Sequence, residues 1–136
     1  VLSTLHTIGA AKTVDRMVEM FPSDEQSQIR SLFSDTIRGV ISQTLFRRID
    51  RPGRCVALEI MIATYAVRNL IRENKTHQIP SLIQTGKKYG MQTLDDAIMD
   101  FLIRGWIDPE DAYLNAMDKE KFRPFLKKPV SDFTEV

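Results

Sequence analysis

Between Ile29 and Leu45 the apolar residues Ile29, Leu32, Phe33, Ile37, Val40, Ile41 and Leu45 recur at the i, i+3, i+4 spacing of one helix face. No other stretch of the chain is so regular, and a stripe of that width has to be buried against a core. The spacing predicts a long core helix, started by the capping-box pair Ser23 and Gln26 just after Pro22 ends an earlier helix. That earlier helix begins near Ala10, with Val14, Met17, Val18 and Phe21 on one face. Ahead of it Val1 to Leu5 alternate weakly, as the end of a buried strand does, and His6 to Gly9 form a short loop.

After the stripe, FRRIDRPGRCVALEIMI reads as a hairpin: a short charged arm, a turn at Arg51, Pro52 and Gly53, and a buried strand from Cys55 to Ile62 whose one charge is Glu59. Helical patterning then returns four times. The segments lie at about 65–74, at a piece started by Pro80, at 94–104 between Thr93 and Gly105, and after Asp108 with Pro109 in the first helical position. Met91, Leu94, Ile98, Phe101 and Leu102 are core candidates, Trp106 lies in a turn, and a last short turn carries Phe122, Phe125 and Leu126. The tail PVSDFTEV has no period and reads as loose.

A length of 136 residues suits one domain, and 43% apolar with 27% charged residues is the composition of a globular chain. No apolar run approaches the ~18 residues that span a bilayer, so membrane contact is expected to be peripheral only. Nineteen basic residues against eighteen acidic ones leave no field for nucleic acid. The single cysteine, Cys55, excludes an internal disulfide, suits a reducing compartment and reads as a small buried hydrophobe. Composition marks no linker, repeat or second domain.

Two stretches carry candidate chemistry. In STLHT, a strand end turning through glycine into a helix would set Thr4, His6 and Thr7 near a phosphate or its water, although a lone turn histidine also serves as a structural hydrogen-bond partner. In YAVRNLIRENK, Val67, Leu70 and Ile71 share one helix face, while Arg68, Asn69, Arg72 and Glu73 occupy the opposite, outward half. That half is either a solvated surface or a docking face for a partner's carboxylates and backbone. No GxxxxGK[ST] loop occurs, and neither His6 nor His77 has a second ligand at metal-binding spacing, so neither a complete ATPase site nor a metal site can be assembled.

STLHTIGAAKTVDRM resembles the His box of the secretion ATPase superfamily, and AVRNLIRE differs only at Val67 from the AIRNLIRE motif of PilT-type pilus retraction ATPases. SQTL at Ser42 to Leu45 and GMQTLD at Gly90 to Asp95 are similar to the same subfamily. The resemblance implies an α/β fold: residues 1–62 as the C-terminal part of a RecA-like P-loop NTPase motor domain, 63–128 as a helical C-terminal region, and 129–136 as a tail. It further implies a catalytic His6 near the terminal phosphate, with Thr4, Thr7 and Arg16 as nucleotide contacts and Arg68, Asn69, Arg72 and Glu73 as the retraction motif. The parent would be a homohexameric ATPase using ATP and Mg2+, cytoplasmic and peripheral at a bacterial inner membrane, meeting a pilus platform protein. The portion ahead of Val1 would hold the P-loop, and this chain alone would bind nucleotide weakly. Tyr65 departs from the proline expected before the motif, while the lone cysteine agrees with the lack of the tetracysteine zinc motif of assembly ATPases. A stand-alone protein-binding module without catalysis, an accessory retraction ATPase and a pilus assembly ATPase remain alternatives.

Overall fold

The structure, a computed structural model, describes residues 1–127. Among the described residues there are six α-helices and one hairpin: α1 (Ala10–Glu19), α2 (Gln26–Thr36), β1 (Gly39–Arg47), β2 (Arg54–Ile62), α3 (Tyr65–Arg72), α4 (Ile79–Thr85), α5 (Leu94–Ile103) and α6 (Pro109–Asn115). Single 3₁₀ turns at Thr76–Gln78, Lys87–Tyr89, Lys119–Lys121 and Arg123–Phe125 accompany them. The expected tail at 129–136 lies outside the described residues.

The long core helix is not formed. Its regular stripe is shared between α2, which stops at Thr36, and β1, which starts at Gly39. Period 2 governs the second half: Ser42 and Phe46 are buried, whereas Ile41 and Leu45, core positions of the expected helix, are 68% and 59% exposed. Two local causes favour the strand. Gly39 weakens a helix interior, and here it approaches β2 so closely that a Cβ would stand 2.9 Å from the Met61 carbonyl oxygen. GVISQTLFR is also rich in β-branched and aromatic residues, and the Arg51–Gly53 turn returns a partner strand alongside it. The start of the charged arm, Phe46 and Arg47, is therefore the end of a nine-residue strand, and Arg48 to Asp50 lie in the turn beyond it.

Two smaller expectations also fail. Ser23 and Gln26 form no capping box; α2 begins at Gln26, whose amide instead reaches the Phe21 carbonyl at 3.0 Å. Val1 to Leu5 do not form a strand, and their side chains are mostly exposed, because among the described residues no strand lies alongside to pair with them. The other helices begin and end where their caps indicate: Thr64 accepts the Val67 amide at α3, Asp108 accepts the Glu110 amide at α6, and Gly105 takes φ 72 after α5.

The described residues divide into two compact units that interleave in sequence, 1–43 with 58–93 and 44–57 with 94–127. In the first unit Ala10 and Val14 of α1, Met61 of β2, Val67 and Ile71 of α3, and Ile79 and Ile83 of α4 make the core. In the second, Phe46, Ala57, Leu94, Ile98, Ile107 and Phe122 pack together. The hairpin turn is fastened within that unit: Arg48 donates two bonds to the Asp50 carboxylate, at 2.9 and 2.6 Å, and its guanidinium lies 3.9 Å over the Trp106 ring. The arginine's hydrogen bond holds the Asp50 carboxyl below its usual range against an opposing effect of burial.

Phe122 is fully buried while Phe125, three residues on, is 43% exposed. Phe122→Ala is expected to lower unfolding free energy by about 3–5 kcal/mol and Phe125→Ala by under about 1 kcal/mol, read by chemical denaturation.

Candidate functional site

The turn before α1 is held by side chains remote in sequence. The Gly9 amide donates to Ser42 Oγ at 2.9 Å and the Ala10 amide to Glu59 Oε1 at 2.8 Å, so β1 and β2 each cap the helix start. Gly9 sits at φ 93, a left-handed value open to glycine, with its Cα facing the Glu59 carboxylate. Thr13 closes the turn from the other side, its hydroxyl 2.9 Å from the Gly9 carbonyl and 2.7 Å from the Thr7 hydroxyl. The lone charge of the apolar strand thus has a structural partner, and a negative group already occupies the positive end of α1.

Among the described residues the Ala10 amide is taken by a carboxylate, so a phosphate approaching the turn would meet side chains before helix amides. His6 and Thr4 are exposed, Arg16 is exposed on α1, and Thr7 is half-buried against Thr13. The His6 side chain makes no hydrogen bond among the described residues.

The arginine motif forms in part the outward face its helical spacing implies: Arg72 and Glu73 are exposed, while Arg68 and Asn69 are half-buried. Arg68 is half-buried and turns back onto its own chain, Nη1 donating to the Ser34 and Asp35 carbonyls at 2.6 and 2.8 Å and Nε to the Ala63 carbonyl at 3.0 Å. Ser34 and Asp35 lie in the last turn of α2, where carbonyls lack intrahelical donors, and a guanidinium there also meets the negative helix end. Arg72 follows the same direction, 3.1 Å from Asp35 Oδ1 and 2.9 Å from Asn69 Oδ1. Glu73 pairs with Lys75 at 3.3 Å. The four polar residues are consequently engaged within the chain, and two of them clasp α3 to the end of α2.

Sequence patterning singled out the arginines but not their targets, since nothing in SDT marks a carbonyl as awaiting a donor. Ser42 and Glu59 were passed over as well. The available signal was a single carboxylate in an otherwise apolar strand, a charge that must find a partner when its neighbours are buried. Among the described residues no group of three or more His, Cys, Asp or Glu side chains is arranged to hold a metal ion. Cys55 is buried as expected; burial pushes its thiol up, outweighing the nearby Arg48, which pulls it down.

Removing the Arg68 guanidinium leaves three carbonyls without it. Arg68→Ala is expected to cost about 1–3 kcal/mol, and Arg72→Ala, whose pair with Asp35 is exposed, under about 1 kcal/mol, both read by thermal unfolding. Cys55 is expected to react with a maleimide at neutral pH far more slowly in the folded chain than in denaturant, followed by mass spectrometry.

No family model matches the chain. It is 50% identical over 120 residues to a twitching motility protein of Neisseria gonorrhoeae and 49% identical over 122 residues to the type IV pilus retraction ATPase PilT of Pseudomonas aeruginosa. These matches cover 88% and 90% of this chain but 32% and 35% of the relatives, so the chain spans about a third of their length. Among solved structures, the pilus retraction motor PilT with bound ADP superposes with a TM-score of 0.75 at 37% identity, over 88% of this chain and 33% of that one. The mixed fold of helices around a hairpin is that of part of a secretion ATPase motor domain. In sequence and in fold, this chain is similar to about a third of a PilT-type pilus retraction ATPase.

Proposed function

We propose that this chain is the His-box and retraction-motif part of an ATPase that powers type IV pilus retraction and twitching motility. The observation that carries the reading is 49% identity to a retraction ATPase across 90% of the chain. The parent motor is a homohexameric ring in the bacterial cytoplasm, peripheral at the inner membrane, and it meets the pilus platform protein there. Residues 1–62 belong to its RecA-like core and 63–128 to its helical C-terminal region.

ATP with Mg2+ supplies the energy-releasing hydrolysis, and the P-loop that would cradle its phosphates has no counterpart in these 136 residues. What this chain contributes is a set of side chains that meet the phosphate end. Exposed His6 donates a hydrogen bond to the terminal phosphate, Thr4 and Thr7 stand beside it, and the Arg16 cation opposes its charge. Two features support that arrangement: His6 has no competing side-chain bond among the described residues, and the α1 end is already neutralised by Glu59. Arg68 and Arg72, with Asn69 and Glu73, act away from the nucleotide. They join α3 to α2 and so make the retraction motif a mechanical coupling rather than a phosphate site.

In the full-length motor, His6→Ala is expected to lower ATP turnover roughly 10²-fold while the ring still assembles, measured by a steady-state phosphate-release assay alongside size-exclusion chromatography. Unchanged turnover in an assembled ring would contradict the role given to His6.

A further inference from the structure

We propose that Ser42 and Glu59 are positioning residues for the phosphate-facing turn at His6, acting through the Gly9 and Ala10 amides. The inference rests on the reading of His6 as a phosphate contact and adds the residues that set where it stands.

Three observations converge on it. First, both hydrogen bonds fall on consecutive amides directly after the His6–Thr7–Ile8 segment, at 2.9 and 2.8 Å, and both come from the hairpin, 33 and 49 residues away in sequence. A helix start held at two successive amides from two different strands has little freedom to shift or rotate relative to them. Second, Ser42 is buried at 6% exposure, and the Gly9 amide bond to it is buried too, so water does not readily replace the hydroxyl. Third, the turn is bolted from its other side by Thr13, which accepts nothing from the hairpin but ties Gly9 and Thr7 to α1. His6 is the exposed member of a turn in which the Gly9 and Ala10 amides and the Thr7 hydroxyl are already engaged.

The choice of a carboxylate also has a consequence. Glu59 satisfies the Ala10 amide and offsets the positive helix end, which removes that end as a rival anchor for phosphate. The phosphate contact is thereby left to side chains whose placement follows the hairpin. A movement of β1 and β2 along their length would carry the Gly9 and Ala10 amides with it, and His6 would move by the same displacement. Misplacement of a catalytic group by about 1 Å can cost roughly 10²-fold in rate, so this linkage is large enough to matter.

The test compares Glu59→Ala, Glu59→Gln, His6→Ala and the Glu59→Ala/His6→Ala double variant in the full-length motor. Glu59→Ala is expected to lower kcat roughly 10- to 100-fold with KM for ATP changed less than about threefold. Glu59→Gln keeps most of the activity, because its amide oxygen still accepts from Ala10. The double variant is scarcely slower than His6→Ala alone, since the loss caused by removing Glu59 is exerted chiefly through the placement of His6. Hydrogen exchange at the Gly9 and Ala10 amides quickens in Glu59→Ala and not in Glu59→Gln. Costs that multiply in the double variant, or a Glu59→Gln as slow as Glu59→Ala, would overturn the proposal. Full turnover in His6→Ala alone removes the reading beneath it, and that single variant distinguishes the two failures. Should Glu59→Ala not fold, Ser42→Ala, which deletes one hydroxyl, supplies the same cycle with His6→Ala.

Discussion

The ends of helices carry backbone groups with no partner inside the helix, and the arrangement of this chain depends on polar and charged side chains brought in to meet them. Glu59 and Ser42 meet the first amides of α1. Arg68 meets the last carbonyls of α2, and Lys119 reaches the Tyr113 and Leu114 carbonyls at the end of α6 at 3.1 and 2.8 Å. Asp95, buried at 8% exposure, accepts the Met117 and Asp118 amides at 2.8 and 2.9 Å. Each sign is the one the helix end favours where a helix is involved: carboxylate at the amide end, cation at the carbonyl end. With most helices only seven to eleven residues long, little of their stability comes from propagation, so such caps and the cores beneath them hold the elements in place.

That pattern changes what the family's motifs mean in physical terms. A run of arginines on a helix invites interpretation as a surface awaiting a partner. Here the guanidinium of Arg68 is spent on three carbonyls, and its planar fork suits that task better than an ammonium would. The same logic applies to the turn at His6: the amides are consumed by the hairpin, and the side chains beside them remain exposed. Engaged and exposed groups are thus segregated within a few residues.

Much of the helical framework was legible along the chain. Thr64, Asp108 with Pro109, and Gly105 each mark a boundary by a local mechanism, a side-chain acceptor or a left-handed residue, and local mechanisms survive folding. The stripe from Ile29 to Leu45 misled because residues 37, 40, 41 and 45 fit a 3.6 period by coincidence while 40, 42, 44 and 46 fit a period of 2. The alternation was present but crossed by polar Ser42 and Thr44, and Ser42 is inward because it serves the Gly9 amide, not because it is apolar. A buried polar residue with a long-range partner reads as a break in the pattern when the partner is not in view.

What the sequence by itself determined was therefore local: helix caps, the hairpin turn at Arg51–Gly53, the burial of Cys55, and motifs dense enough to indicate kinship with retraction ATPases. Only the tertiary structure decided that the stripe would split into helix and strand, that Glu59 would close α1, and that Arg68 would turn back onto the end of α2. The reason is the range of the forces. Propensity and capping act over three or four residues, whereas a strand needs a neighbour and a buried charge needs a counterpart, and both arrive here from 33 to 49 residues away.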